Sequence, residues 1–191
     1  MDFAFGDPKN KFHPTAWIGS LIARLAPTAC GSSKTAERLA GTYVVLIPVS
    51  VTVSLLLLLE AGLGLLTGFI SVAVSIIVVG ILLKTTLAVR GMEKHAMAVV
   101  AALEEDDLPA ARDLLSLIVK RNTKDLDKDH IYSAVLESIS ENTVDGVTGP
   151  LFYFGFFGIF GSFVYRTVNT ADSMVGYRTK IFRYRMVCRH V

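Results

Sequence analysis

The residues of this chain best suited to chemistry flank its last apolar stretch. Ahead of it runs Glu137-Ser138-Ile139-Ser140-Glu141-Asn142-Thr143-Val144-Asp145-Gly146, and after it Asn169-Thr170-Ala171-Asp172-Ser173-Met174-Val175-Gly176-Tyr177. Carboxylates and amides this dense beside so apolar a segment must be solvated, paired or bound to something, because stripping each of water is costly. Glu137, Glu141 and Asp145 recur every four residues, so they share a helix face on which like charges repel unless cations or donors intervene. An amphipathic helix alone accounts for a solvated acidic face; Asn142, Asn169 and Asp172 add to it. Oxygen ligands of this kind suit magnesium, which usually enters a site with a phosphate-bearing substrate. Lys84, Arg90, His95 and Arg121 offer the opposite charge to phosphates or carboxylates. Phosphoryl or acyl-phosphate chemistry is therefore open to the chain, although it has no Walker loop, nucleophile elbow, zinc motif or dinucleotide fingerprint.

The elements that must carry these residues are apolar to a degree unusual in a soluble protein: 52% of the 191 residues are hydrophobic. Between residues 40 and 83 the only charge is Glu60. As one helix that window would be about 66 Å long, roughly twice a bilayer's hydrocarbon core, so it reads as two spans. A lone acid at the bilayer centre costs about 2.5 to 3.5 kcal/mol, which places the turn of a transmembrane hairpin near Glu60 and Ala61-Gly62-Leu63-Gly64. Residues 1–39 carry five Lys and Arg and residues 84–146 carry eight, so the positive-inside rule sets both flanks in the cytoplasm. The third apolar segment, 147–165, holds Gly149, Pro150, Gly155, Gly158 and Gly161 and is followed by six more basic residues. A re-entrant segment keeps those charges inside and is preferred here to a full span; a Gly-rich span packed on the hairpin is the alternative.

Elsewhere, Asp7-Pro8 and His13-Pro14 predict an extended arm leading into a short helix near residues 16–26, then a small-residue loop at 29–34. The start of the chain has no basic, signal-like pattern, and Cys30 and Cys188 suggest neither a disulfide framework nor a zinc site. The helix ending the hairpin is expected to continue from Lys84 to Leu103. Asp107 is expected to cap the next one, with Pro109 in its first turn and Leu108, Ala111, Leu114, Leu115, Ile118 and Val119 on its inner face. Asp129 is expected to cap a helix through about Val144, with Ile131, Tyr132, Val135, Leu136 and Ile139 on its apolar face. The organisation expected is therefore an all-α multi-pass membrane protein. It has an N-terminal arm at 1–39, a hairpin at 40–83, a cytoplasmic helical insert at 84–146, a Gly/Phe-rich membrane or re-entrant segment at 147–165 and a polar tail at 166–191.

The order of motifs resembles a known family. Asp7-Pro8, His13-Pro14 and Ile18-Gly19 come first, then Lys84-Thr85-Thr86-Leu87-Ala88, Arg90-Gly91 and His95-Ala96. Glu137-Ser138, Glu141-Asn142, Asp145-Gly146 and Pro150-Leu151-Phe152-Tyr153 follow, and Tyr165, Asn169-Thr170, Asp172-Ser173-Met174 and Gly176-Tyr177 close the series. This set is similar to the adenosylcobinamide-phosphate synthases of cobalamin biosynthesis. The resemblance implies a membrane ligase that uses ATP and Mg2+, with no bound prosthetic group, to join a propionate of adenosylcobyric acid to aminopropanol or its phosphate. It implies catalytic roles for Glu141, Asp145 and Asn142, and metal binding by Glu137, Glu141 and Asp172. Lys84, Arg90, His95, Arg121, Asn169 and His13 would bind substrate. The implied partners are the corrinoid, the amine, the bilayer and other corrin-pathway membrane proteins, without nucleic acid, and the polar site would face the cytoplasm at the cell membrane.

Three departures qualify this. Family members usually carry an apolar stretch before the Asp-Pro motif, and they continue past Asp-Ser-Met with further membrane helices. Here 178–191 does not follow the pattern, which implies a C-terminally shortened member, and Asn122 stands where the family commonly has aspartate. Two other readings of the residues are an inactive membrane scaffold and a magnesium-dependent membrane phosphotransferase acting on a phosphate ester.

Overall fold

The computed structural model describes residues 13–26, 34–88, 90–119 and 121–175, with the side chains of 34–38 and Arg90 left aside. The expected arm ahead of His13, most of the loop at 29–34, both cysteines, Tyr177 and the tail 178–191 lie outside the described residues. Every regular element among the described residues is helical. They fall into two compact units, one formed by Leu87–Gly149 and the other by the helices before Leu87 together with those from Pro150 onward.

In the second of these units, α1 (Pro14–Leu25) begins where His13 is held extended by the following proline, whose missing N–H costs nothing in a first turn. Ile18 and Ile22, four apart, are its buried face. α2 (Lys34–Gly64) and α3 (Gly68–Thr86) form the apolar hairpin. The chain turns at residues 65–67, and Gly68 takes a positive φ of 72° that a side chain would oppose. Glu60 thus lies in the last helical turn of α2, exposed, rather than in the turn itself. Only 22% of the most apolar window of α2 is buried within the molecule, and 12% of the one beginning at Gly68. Surfaces such as Leu58 at 69% and Phe69 at 87% exposure need an apolar solvent, which a bilayer supplies. Among the described residues, three helical stretches are long and apolar enough to cross a membrane.

The last helix, α7 (Gly149–Val175), is broken at Gly158, where φ 59° and ψ −151° are open essentially to glycine alone. The two limbs, 149–157 and 159–175, lie against each other: the rings of Tyr153 and Tyr165 stack with centroids 5.0 Å apart, and Gly161 packs on the Tyr153 carbonyl. In a straight helix those tyrosines would be about 18 Å apart along the axis. Phe163 and Ala171 of the second limb join Ile18, Ile22, Val44 and Leu56 in a common core.

The other unit contains α4 (Arg90–Glu104), α5 (Leu108–Ser116) and α6 (Lys128–Thr143), packed pairwise around Val99, Leu103, Ala111, Leu115, Ile131 and Val135. The helix expected to run unbroken from Lys84 to Leu103 is interrupted after Thr86 and restarts at Arg90. Asp107 caps α5 as expected, its carboxylate accepting from Ala110 N at 3.0 Å. The cap of α6 is Asp127, which accepts from His130 N at 2.9 Å, and Asp129 sits inside the first turn. Leu136 departs from the expected apolar face and is 64% exposed.

Two carboxylates here are held below the usual range, Asp106 by a hydrogen bond and the charge of Lys128, and Asp127 by the backbone N–H and ring of His130. A depressed folded pKa adds stability above the unfolded value and loses it as pH falls through the folded one. The amide protection of α4–α6, taken as exchange relative to the intrinsic rate at each pH, is therefore expected to fall below about pH 4. Asp106→Asn should flatten part of that acid slope, and the change will be small because both partners are solvated.

Candidate functional site

On α6 the acidic residues meet different surroundings. Glu137 Oε2 accepts from Arg121 Nη2 at 2.9 Å, an exposed ion pair that neutralises the first carboxylate of the series. Glu141 is exposed, and the Asn142 amide turns back on its own helix, donating to the Ser138 carbonyl at 2.8 Å. After Thr143 the backbone widens into a π-helical turn, Val144–Thr148, which carries the half-buried Asp145. Such turns break the i, i+4 register and recur at functional sites. Gly146 is buried at its centre: its carbonyl accepts from Ala88 N at 3.0 Å, and a Cβ would stand 3.2 Å from the Ala88 oxygen. His95 is exposed, with Nδ1 2.6 Å from the Gly91 carbonyl one turn back, and the Arg90 side chain is outside the described atoms.

The other unit gathers a second set of polar groups. Thr15 Oγ1 donates to the Thr85 carbonyl at 3.1 Å and lies 2.6 Å from His13 Nδ1. With the Thr15 hydroxyl proton directed to Thr85, Nδ1 of His13 acts as the donor to Thr15. Lys84, half-buried, belongs to the last turn of α3, where a cation suits the helix dipole. Thr86 Oγ1 and Ser162 Oγ, both fully buried, are 2.9 Å apart and fasten the second limb of α7 to the end of α3. Seven residues on, Asn169 is half-buried, while Thr170 packs against Gly19 of α1 and Asp172 is exposed.

The candidate residues therefore fall into two groups. Glu137, Glu141, Asn142, Asp145, Arg121 and His95 belong to one unit, and His13, Lys84, Asn169 and Asp172 to the other. Among the described residues, no three His, Cys, Asp or Glu side chains converge as a metal would need. Thr15, Thr86 and Ser162 escape a search for charged residues; hydroxyls inside otherwise apolar helices were the signal for them. Thr86→Val leaves Ser162 without this partner and is expected to cost about 1 kcal/mol, with Thr86→Ser close to neutral. Unfolding in detergent measures both.

The sequence profile of the CobD/Cbib protein family matches residues 1–185. The chain belongs to this family. Among CobD/Cbib relatives, it is 32% identical over 191 residues to a probable cobalamin biosynthesis protein CobD of Methanococcus aeolicus, covering 96% of this chain and 59% of that protein. It is 37% identical over 181 residues to the cobalamin biosynthesis protein CobD of Dehalococcoides mccartyi, covering 94% and 57% respectively. With the probable cobalamin biosynthesis protein CobD of Pyrococcus abyssi the identity is 36% over 183 residues, covering 96% and 59%. The chain thus spans somewhat under three fifths of the length of these CobD relatives. No solved structure matches it. Both groups of polar residues fall within the stretch that the CobD/Cbib profile covers.

Proposed function

We propose that the chain acts in cobalamin biosynthesis as an integral membrane ligase, joining a propionate of adenosylcobyric acid to aminopropanol or its O-phosphate with consumption of ATP. The observation that carries this is the family match across residues 1–185, which takes in every candidate residue. A carboxylate oxygen is a poor leaving group and an ammonium is not a nucleophile, so amide formation needs an activated carboxyl and a base for the amine. Glu141 and Asp145 are suited to receive that proton, and Asn142 to orient the reacting groups. Lys84, His13 and Asn169, with Arg90, His95 and Arg121, would hold the phosphates and corrin carboxylates.

The residue types suit magnesium. It commonly takes one or two carboxylates and completes its shell with water and substrate phosphate, and Glu141 and Asp145 of one unit would offer hard oxygens beside a Glu137 already paired with Arg121. When bound, it would draw charge from the ATP phosphates.

The fold-back at Gly158 supports a re-entrant α7, which would keep the basic residues after it on the cytoplasmic side, as the distribution of Lys and Arg expects. The test is to incubate the membrane-embedded chain with adenosylcobyric acid, aminopropanol phosphate, ATP and Mg2+ and to look for the amide by mass spectrometry. ATP-dependent product is expected. No product from well-folded protein would overturn the claim that this chain suffices. Its coverage of under three fifths of the relatives then favours a second reading, a membrane partner without its own chemistry, whose associations would survive Asp172→Asn.

A further inference from the structure

Within the membrane-type unit, a groove of about 290 Å³ runs between α2, α3 and the bend of α7. Its polarity is graded. Its polar side chains, Glu60, Ser71 and Ser75, lie toward the α2–α3 turn beside Leu59 and Leu63, Leu56 stands midway, and the far end at Leu82, with Ile159 and Phe160, is apolar. Counted along the helices, Glu60 and Ser71 lie about 6 and 5 Å from the turn, whereas Leu82 is about 21 Å from the start of α3. The slot is thus long and narrow, apolar in its depth and polar where interfacial headgroups lie. Glu60 is the only charge of the whole apolar window and is exposed at the groove's shallow end. Its polar mouth is remote from the machinery proposed above, since Lys84 and Thr86 stand at the opposite end of α3, beyond Leu82.

We propose that this groove binds one lipid whose headgroup bears a primary ammonium, with an acyl chain along Leu56, Leu82 and Phe160 and the ammonium on the Glu60 carboxylate. A carboxylate accepts and cannot donate, while a primary ammonium presents three donors, enough for Glu60 and the nearby Ser71 hydroxyl together. A quaternary ammonium has no N–H to give, and its usual aromatic cage is missing because the groove's single aromatic, Phe160, lies at the deep end. An anionic headgroup would be repelled. The groove's length along the helix axes suits an extended chain, and its mouth is at the depth where headgroup and tail part.

The test is native mass spectrometry of the full chain released from nanodiscs. These would contain equal amounts of phosphatidylethanolamine, phosphatidylcholine and phosphatidylglycerol with the same acyl chains. One retained phosphatidylethanolamine is expected, preferred by about tenfold, as one charge-assisted hydrogen bond to a carboxylate allows. Glu60→Gln should erase the preference without abolishing lipid retention. Leu82→Trp, which fills the deep end and leaves the acid in place, should abolish retention. Equal retention of the three lipids by the unaltered chain, a preference that survives Glu60→Gln, or retention unaffected by Leu82→Trp would each overturn the proposal. So would a cross-linker placed at residue 75 that captures a protein segment in place of lipid.

Discussion

Gly161→Ala is expected to destabilise the membrane-type unit by about 3 kcal/mol, the upper end of the cost of overpacking a closed contact. Gly155→Ala, six residues earlier in the same helix, is expected to be neutral or slightly stabilising, as alanine is the better helix former. The difference comes from what a methyl group meets. At Gly155 a Cβ finds nothing within 4 Å, whereas at Gly161 it runs into the Tyr153 carbonyl oxygen and stands 2.7 Å from the Phe157 Cβ. Both obstacles are fixed to the opposite limb, so neither can swing away as the end of a long side chain would. Gly158→Ala strains the bend differently: nothing crowds its Cβ, but the backbone conformation is one that L-residues avoid, at about 1 to 3 kcal/mol. Thermal unfolding of the three variants in the same detergent would rank them Gly161, Gly158, Gly155. Equal behaviour of Gly161→Ala and Gly155→Ala would mean that the two limbs of α7 are not pressed together.

The second large effect concerns turnover. On the ligase reading proposed above, with Glu141 as the base for the amine, Glu141→Gln is expected to lower kcat of amide formation by at least about 100-fold, the usual scale for losing a general base. Glu137→Gln should cost much less. Glu137 already holds Arg121 at 2.9 Å, so its charge is offset, and its loss frees a guanidinium that can still meet an anionic substrate. The informative comparison is kcat against KM in the two variants. Loss of kcat in Glu141→Gln with KM nearly unchanged marks an interaction made in the transition state. The reverse pattern, with Glu137→Gln the more damaging in kcat, would reassign the base to the first carboxylate of the series.

The fold was legible wherever local chemistry dictates geometry. Asp107 with Pro109 announced a helix start, and the spacing of Ala111 and Leu115 announced its buried face; both are found. Where two residues of the same type stand close together, the sequence misled: Asp129 was expected to cap α6, and Asp127 does. Asp127 and Asp129 are equal as caps on paper, and the decision rests on which carboxylate reaches the backbone N–H of His130. Leu136 fits the helical period but faces outward, because α4 and α5 cover a narrower strip of α6 than its apolar residues could fill. The hairpin turn fell at 65–67, beyond Glu60, because a carboxylate near a helix end already reaches the polar margin and need not occupy the turn. The acids and amides of the candidate site were visible as residue types. What was not visible is that Arg121 consumes the charge of Glu137, that a π turn carries Asp145, and that neutral hydroxyls at Thr15, Thr86 and Ser162 brace the other unit.

The bend at Gly158 also bears on how such a chain is made. The first limb, 149–157, is nine residues long, about 13 Å of helix, and falls well short of the roughly 30 Å that an insertion machinery reads as a span. The pair α2 and α3 is complete in sequence some sixty residues before the limb is synthesised. The first limb therefore has no independent claim on a bilayer and is tied to the hairpin through the second limb, on which it folds back and whose Ser162 is fastened to Thr86. On the re-entrant reading proposed above, insertion of α7 would be a step of folding rather than of translocation, and a defect in the first hairpin would surface as a segment stranded at the membrane surface.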